Sequence, residues 1–302
     1  MSVVRYVCIG NPITYSPHES IGNKQILNND EERKCIFCGK TEKDTTFKKE
    51  AHLFPAGLGN RTFFNKNECD MCNEHIFSPC EDDLCNLLEL DRILTGSRKR
   101  SSYPKIKNRD GVMQRKGKEN NLIIEFGGDR GKFDLIEHHE KNKIEIKVKK
   151  PMPYNEVNIC KAIAHIGWSF LSESTRESFS YLGKWLIGEL SIFPLHLDIA
   201  FVPALYEKGV FEIKESTSSF NKFPLLFRFL FGSKVLTFYI PINHEVSTEP
   251  LPDWNYIDNM ERDEEFKISR RIVQYDKRTY PDDVSYTFKY NNRDKAFPLL
   301  EE

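Results

Sequence analysis

The chain has 302 residues, 39% of them hydrophobic and 29% charged, with 44 Lys plus Arg set against 45 Asp plus Glu for a formal net charge of −1. That balance suits a folded protein of about two domains rather than a disordered one. It also confines any nucleic-acid surface to a local patch, because the molecule as a whole carries no basic field. The longest apolar runs, such as 162–171 and 223–231, are about half of the roughly twenty residues that a membrane-spanning helix needs, so no membrane span is expected.

In chain order, residues 1–32 read as an N-terminal extension. The opening MSVVRYVCIGNP has one Arg and no apolar run of signal-peptide length. The expectation is a cytoplasmic protein in a reducing compartment, where eight cysteines are not a disulfide framework. Four of the eight form two CxxC pairs, Cys35/Cys38 and Cys69/Cys72, separated by thirty residues. Two residues between cysteines let a tight turn aim both thiolates at one ion, and two such turns complete a tetrahedral zinc site. A single CxxC would suit a redox motif, and an iron–sulfur cluster is the other metal reading. Cys80 and Cys85 lie at no usual ligand spacing and, with Cys8 and Cys160, read as small buried hydrophobes.

Between the pairs, residues 47–54 read as a short strand closed by Pro55, 56–60 as a loop, and 62–64 as the start of a second strand. The second pair leads into 73–94, where Ile76, Leu84, Leu87, Leu88 and Leu90 suggest a helix. Two strands and a helix pinned by zinc make a ββα unit over residues 33–97.

These residues resemble a known family. KEAHLFPAGLGN followed by CDMCNEHIFS is similar to the zinc-knuckle branch of the HNH endonucleases, and the resemblance covers roughly residues 33–95, about a fifth of the chain. It implies that His52 is the general base, which a neutral imidazole can be near pH 7. It implies that Asn73, directly after the last zinc cysteine, ligates a catalytic divalent cation, Mg²⁺ or Mn²⁺. Asn60 matches the central Asn of the motif, which steadies the loop and the base. Zinc on Cys35, Cys38, Cys69 and Cys72 would be structural. Many relatives carry an acidic ligand immediately before the base, but that position is Ala51 here. Alternate residues of a strand share a face, so Glu50 is the candidate for that carboxylate. His75 is a further candidate ligand, although on a regular helix it lies about 200° from Asn73. Glu81, eight residues on from Asn73, returns to the same helical face. His138 and His139 read as exposed hairpin residues and His165 as a packed core histidine.

Residues 98–118 hold nine Lys or Arg and one acid. Such a run is either a solvated linker or, beside a nuclease helix, a phosphate-binding track, with Arg98, Lys99, Arg100, Lys105 and Lys107 as its contacts. After it, 121–126, the turn 127–131 and 132–136 read as a β-hairpin, and 143–149 as a half-buried strand, so that 98–150 is a basic linker plus hairpin. Residues 151–302 read as a larger α+β region: helices from 157 and over 177–190, β-like segments across 198–245, and a short strand near 281–290.

The fold class expected is therefore α+β, a small zinc-stapled nuclease unit joined to a larger C-terminal region. The function expected is a metal-dependent endonuclease acting on nucleic acid, DNA foremost, of the restriction or anti-phage defence type. The C-terminal region would regulate it, bind an activating partner or ligand, or form an oligomer. The alternatives are a non-catalytic zinc-scaffolded nucleic-acid-binding module and a nuclease subunit active only within a protein complex.

Overall fold

The computed structural model describes residues 5–17, 24–28, 32–98, 103–108, 111–116, 121–126, 133–138, 142–192, 195–219, 221–244, 267–273, 275 and 277–289. Lys99, Arg100, His139 and the turn expected at 127–131 lie outside them.

The N-terminal residues are built into both halves of the molecule. Strands β1 (Tyr6–Cys8) and β2 (Ile13–Tyr15) join the large C-terminal sheet, whereas β3 (Gln25–Leu27) pairs in parallel with a strand of the metal-binding unit. That unit consists of β4 (Ala51–His52), a 3-10 turn over Ala56–Leu58, β5 (Phe63–Asn65), a π-helical turn over Cys72–Phe77, α1 (Ser78–Leu87) and α2 (Glu89–Leu94). The strand expected over 47–54 shrinks to two residues because Asp70 takes the backbone N–H groups of Lys48 and Lys49, at 3.1 and 2.9 Å, away from any ladder. The single helix expected over 73–94 is three pieces. Pro79 in the first turn of α1 lacks the N–H that would bond back to His75, and the turn before it widens, Ser78 N–H donating to the Asn73 carbonyl. Leu88 breaks the helix again between α1 and α2.

The described residues of the basic segment lie largely in a sheet rather than a linker. Strands β6 (Lys105–Asn108), β7 (Gly111–Lys116) and β8 (Asn121–Phe126) form one antiparallel sheet. The expected hairpin of 121–126 with 132–136 does not form among the described residues. Strand β9 (Phe133–His138) pairs instead with β10 (Lys143–Val148), whose other edge takes β16 (Val284–Lys289).

The C-terminal region begins with β11 (Tyr154–Asn155) and α3 (Glu156–Phe170), which starts where the Asn155 side chain accepts from the amides of Val157 and Asn158. Short helices α4 (Glu173–Ser178) and α5 (Ser180–Leu186) follow in place of one helix over 177–190. The four β-like segments expected in 198–245 are two long strands, β12 (Leu195–Ser216) and β13 (Leu225–Ile240), paired antiparallel. Register shifts on either side of Tyr206 absorb Pro203, which cannot donate to a regular ladder. The second edge of β12 is shared by β1, β2 and β14 (Lys267–Val273). Strand β15 (Arg278–Thr279) pairs with β11.

One hydrophobic cluster runs from Phe37, Leu53, Phe54 and Phe77 of the metal-binding unit through α3 to Phe227, Phe229 and Phe238 of β13. The small unit therefore shares its core with the larger region. A second cluster joins α2 to the β6–β7–β8 and β9–β10–β16 sheets. Cys80, Cys85 and Cys160 are buried as expected, but Cys8 is exposed on β1. Among the described residues no helix is long and apolar enough to cross a membrane.

Candidate active site

The four sulfurs of Cys35, Cys38, Cys69 and Cys72 lie within 4.8 Å of one another. The Cys35–Cys72 and Cys38–Cys69 separations are 3.8 and 3.7 Å, close to the roughly 3.8 Å edge of a tetrahedron with metal–sulfur bonds of about 2.3 Å. The donor set also wants a cation. The hydrogen bond between Cys35 and Cys72 draws Cys35 down to about 5, whereas burial drives Cys38 up to about 11. A bound cation would compensate the thiolates that such a cluster brings together. Four closed thiolate positions, with no open one for substrate, describe a structural zinc site.

Helix α3 closes over this knuckle. The Trp168 indole donates to the Ile36 carbonyl, inside the first CxxC turn, at 3.0 Å. His165, 1% exposed, meets the buried Glu68 at 2.9 Å and packs against the rings of Phe37 and Phe77, which also touch each other. The core histidine expected from sequence is thus also an ionic partner of the residue preceding Cys69.

A cleft of about 780 Å³ opens between β4 and the π-helical turn. Glu50 and His52 line it from the strand, Gly57 from the loop, and Asn73, Ser78 and Glu81 from the helix. The sequence-predicted His52, Asn73 and Glu50 are thereby brought together. His75 is exposed and does not line the cleft. Asn60 is fully buried behind the cleft rather than in it. Its amide donates to the carbonyls of Phe54 and Phe63 at 3.0 and 2.9 Å, and its oxygen accepts from the amides of Thr62 and Phe63. It thus ties the end of the loop to both strands and fixes where β4 presents His52.

Other residues that hold the cleft gave no local sequence signal. Arg92 of α2 reaches back to donate to the Gly57 carbonyl at 2.9 Å and to the Cys85 carbonyl at 3.2 Å. Asp70, between the zinc cysteines, accepts from the Thr46 hydroxyl at 2.5 Å besides the two amides. Although partial burial works against it, these donors hold its carboxyl below the usual range. Around the cleft, Glu50 is held by Lys24 at 2.5 Å and Glu74 by Lys49. Glu81 is half-buried, and desolvation pushes its carboxyl up to about 8.

Of the basic segment, Arg98 is exposed, with its guanidinium 5.4 Å from the Tyr103 ring centroid. Lys105 and Lys107 are exposed on one face of the β6–β8 sheet, which they share with Gln114 and Lys116 around a groove of about 330 Å³. The opposite face is fastened to α2 by Arg115, which donates to the carbonyls of Ile93 and Leu94 at that helix's C-terminal end.

Residues 35–86 match the sequence model of a family described as HNH endonuclease. No curated protein and no solved structure matches the chain. The matched segment spans both CxxC pairs, β4, β5 and most of α1. With the clustered cysteines it is a zinc-knuckle HNH domain, set in a mixed fold with a larger, strand-rich C-terminal region. It supports nuclease activity and, with that, binding to nucleic acid.

Proposed function

We propose, from the premise that residues 35–86 are an HNH endonuclease domain, that the chain hydrolyses phosphodiester bonds in double-stranded DNA with Mg²⁺ or Mn²⁺. The observation that carries this reading is that His52 and Asn73 line one cleft, on the domain that also carries the clustered cysteines. The oxygen donors there, Asn73 and Glu50, are of the hard type that Mg²⁺ and Mn²⁺ take. When bound, the cation would neutralise charge developing on the scissile phosphate and the departing 3′ oxygen.

The chain's own residues do the rest. The His52 imidazole takes a proton from the attacking water. Asn60 keeps His52 on the cleft wall by pinning the loop ends, and acts without touching substrate. Arg92 holds Gly57, and with it the loop, against α1. Cys72, as a zinc ligand, would anchor the start of the π-helical turn that presents Asn73, and α3 packs against that turn. The lysine face of β6–β8, with Arg98, supplies cations for the phosphate backbone, which fixes register without reading sequence.

A nuclease unit fused through its core to a larger region is in keeping with restriction or anti-phage defence, where a second module restrains cutting, and we place the chain in that class by analogy. Plasmid, single-stranded DNA and RNA should be offered side by side, with Mg²⁺ or Mn²⁺, to the wild type and to His52→Ala. Metal-dependent cutting of plasmid by the wild type alone supports the reading. Binding without cutting of any substrate would make the ββα unit a scaffold.

A further inference from the structure

The acidic residue that HNH relatives place immediately before the base is absent here, and Ala51 at that position is fully buried and offers no donor atom. The cleft compensates from its other wall. The widened turn, in which the Ser78 amide bonds to the Asn73 carbonyl five residues back, brings Asn73 and Ser78 onto one side of the helix, and Glu81 follows one turn later. All three line the cleft with His52. On a regular helix Glu81 would stand about 80° round from Asn73, so the shared face expected from their spacing depends on the widened turn.

The three carboxylates of the cleft differ in their partners. Lys24 neutralises Glu50 and Lys49 neutralises Glu74. Glu81 forms no ion pair and accepts no hydrogen bond among the described residues; at longer range His165 favours its charge, and Glu68 and Asp82 oppose it. A half-buried carboxylate with no ion pair costs stability when it ionises. It is where a hard divalent cation would gain most from an anionic oxygen.

We propose that Glu81 is a direct ligand of the divalent cation, supplied from helix α1 in place of the strand residue. The inference rests on the nuclease reading above, since it concerns the cation of the same site.

The test is Mn²⁺ binding to the full-length, zinc-loaded protein, followed by electron paramagnetic resonance and calorimetry without nucleic acid. Three near-isosteric or charge-matched variants accompany the wild type: Glu81→Gln, Glu81→Asp and Glu74→Gln. Loss of outer-shell partners costs roughly 10–100-fold in metal affinity. Removal of a ligand should cost at least about tenfold by the same scale, so Glu81→Gln should weaken Mn²⁺ by that much. It should also leave zinc content and the melting temperature without Mn²⁺ near those of the wild type. Glu81→Asp, which keeps the charge and shortens the reach, should fall between. Glu74→Gln removes an equal charge from the same cleft and should bind as the wild type does. Equal weakening in Glu74→Gln and Glu81→Gln would mean a general field rather than ligation and would overturn the assignment. Wild-type affinity in Glu81→Gln would overturn it while leaving the nuclease reading intact. A wild type that takes up no Mn²⁺ would overturn both.

Discussion

The Trp168 indole nitrogen donates to the Ile36 carbonyl at 3.0 Å, so the first zinc-binding turn is held by a helix that begins more than a hundred residues downstream. The zinc unit and the C-terminal region also share one hydrophobic cluster. They should therefore unfold together. Trp168→Phe leaves the Ile36 carbonyl without its donor and should cost about 1–3 kcal/mol, with faster zinc loss to a chelator. Metal analysis should return about one zinc per chain. Cys72→Ser should lower the whole chain's melting in a single transition. Two separated transitions in calorimetry would show that the knuckle folds independently and that the shared core contributes little.

Gly57 is a glycine for lack of room. A Cβ there would stand 2.6 Å from the Cys85 sulfur and 3.4 Å from the Arg92 guanidinium. Gly57→Ala should destabilise by about 1–3 kcal/mol, as overpacking does, and reduce cleavage by shifting the loop beside His52. Cys85→Ala removes the obstructing sulfur, so the double variant should recover most of the loss. Double-mutant additivity, with no coupling between the two sites, would contradict the packing account.

What could be read beforehand depended on how local each signal was. Zinc-ligand spacing, the His52–Pro55 element and the Cys72–Asn73 junction are set within a few residues, and they led to the cleft. The alternation of Ile144, Ile146 and Val148 likewise marked β10, whose burial alternates with the same period. Strand partners were not legible. The segments 121–126 and 133–138 flank a glycine-rich turn like a hairpin, yet each prefers a strand on its far side. The long strands β12 and β13 looked interrupted because Pro203 and Gly232 punctuate them, although bulges and the pairing of Tyr206 with Gly232 carry both ladders through. The cleft supports, Arg92 on Gly57 and Asp70 on the 46–49 backbone, join residues too far apart in sequence to leave a spacing signature.

A buried ion pair joins α2 to the long sheet. Asp91, fully buried, accepts from Lys234 and from the Ser233 amide and hydroxyl, both at 2.7 Å, and Tyr286 donates to it at 3.1 Å. Gly232 allows the approach, since its Cβ would lie 2.4 Å from that of Asp91. Asp91→Ala leaves Lys234 uncompensated and should cost about 3–5 kcal/mol. Burial alone would lower the Lys234 pKa, but Asp91 and Tyr286 outweigh it and hold the ammonium above its ordinary value. A raised cation pKa gives stability that is complete below the unfolded value and is lost only as pH rises through the folded one. The Asp91→Ala penalty from denaturant titration should therefore be equal at pH 6 and pH 8. A penalty that vanishes at either would rule out an ionic pair.

The lysine face of β6–β8 predicts a salt dependence. Replacing Lys105, Lys107 and Lys116 by Ala should weaken duplex binding similarly across sequences. It should also reduce the slope of log affinity against log salt by about 0.9 for each phosphate no longer neutralised. These side chains are outside the core that fastens the sheet, so melting should stay near wild type. An unchanged slope would remove this face from the substrate path.

The central claim is that His52 and Asn73 divide proton transfer and cation binding within one cleft, and a Mg²⁺ titration of plasmid cleavage by His52→Ala and Asn73→Ala tests it most directly. His52→Ala should lose about 10² to 10⁴ in rate at every Mg²⁺ concentration, because a general base is gone while the cation site stands. Asn73→Ala should regain activity as Mg²⁺ is raised, because only a ligand is missing. Rescue of His52→Ala but not Asn73→Ala by excess Mg²⁺ would reverse the roles, and wild-type cleavage by both variants would contradict the site altogether.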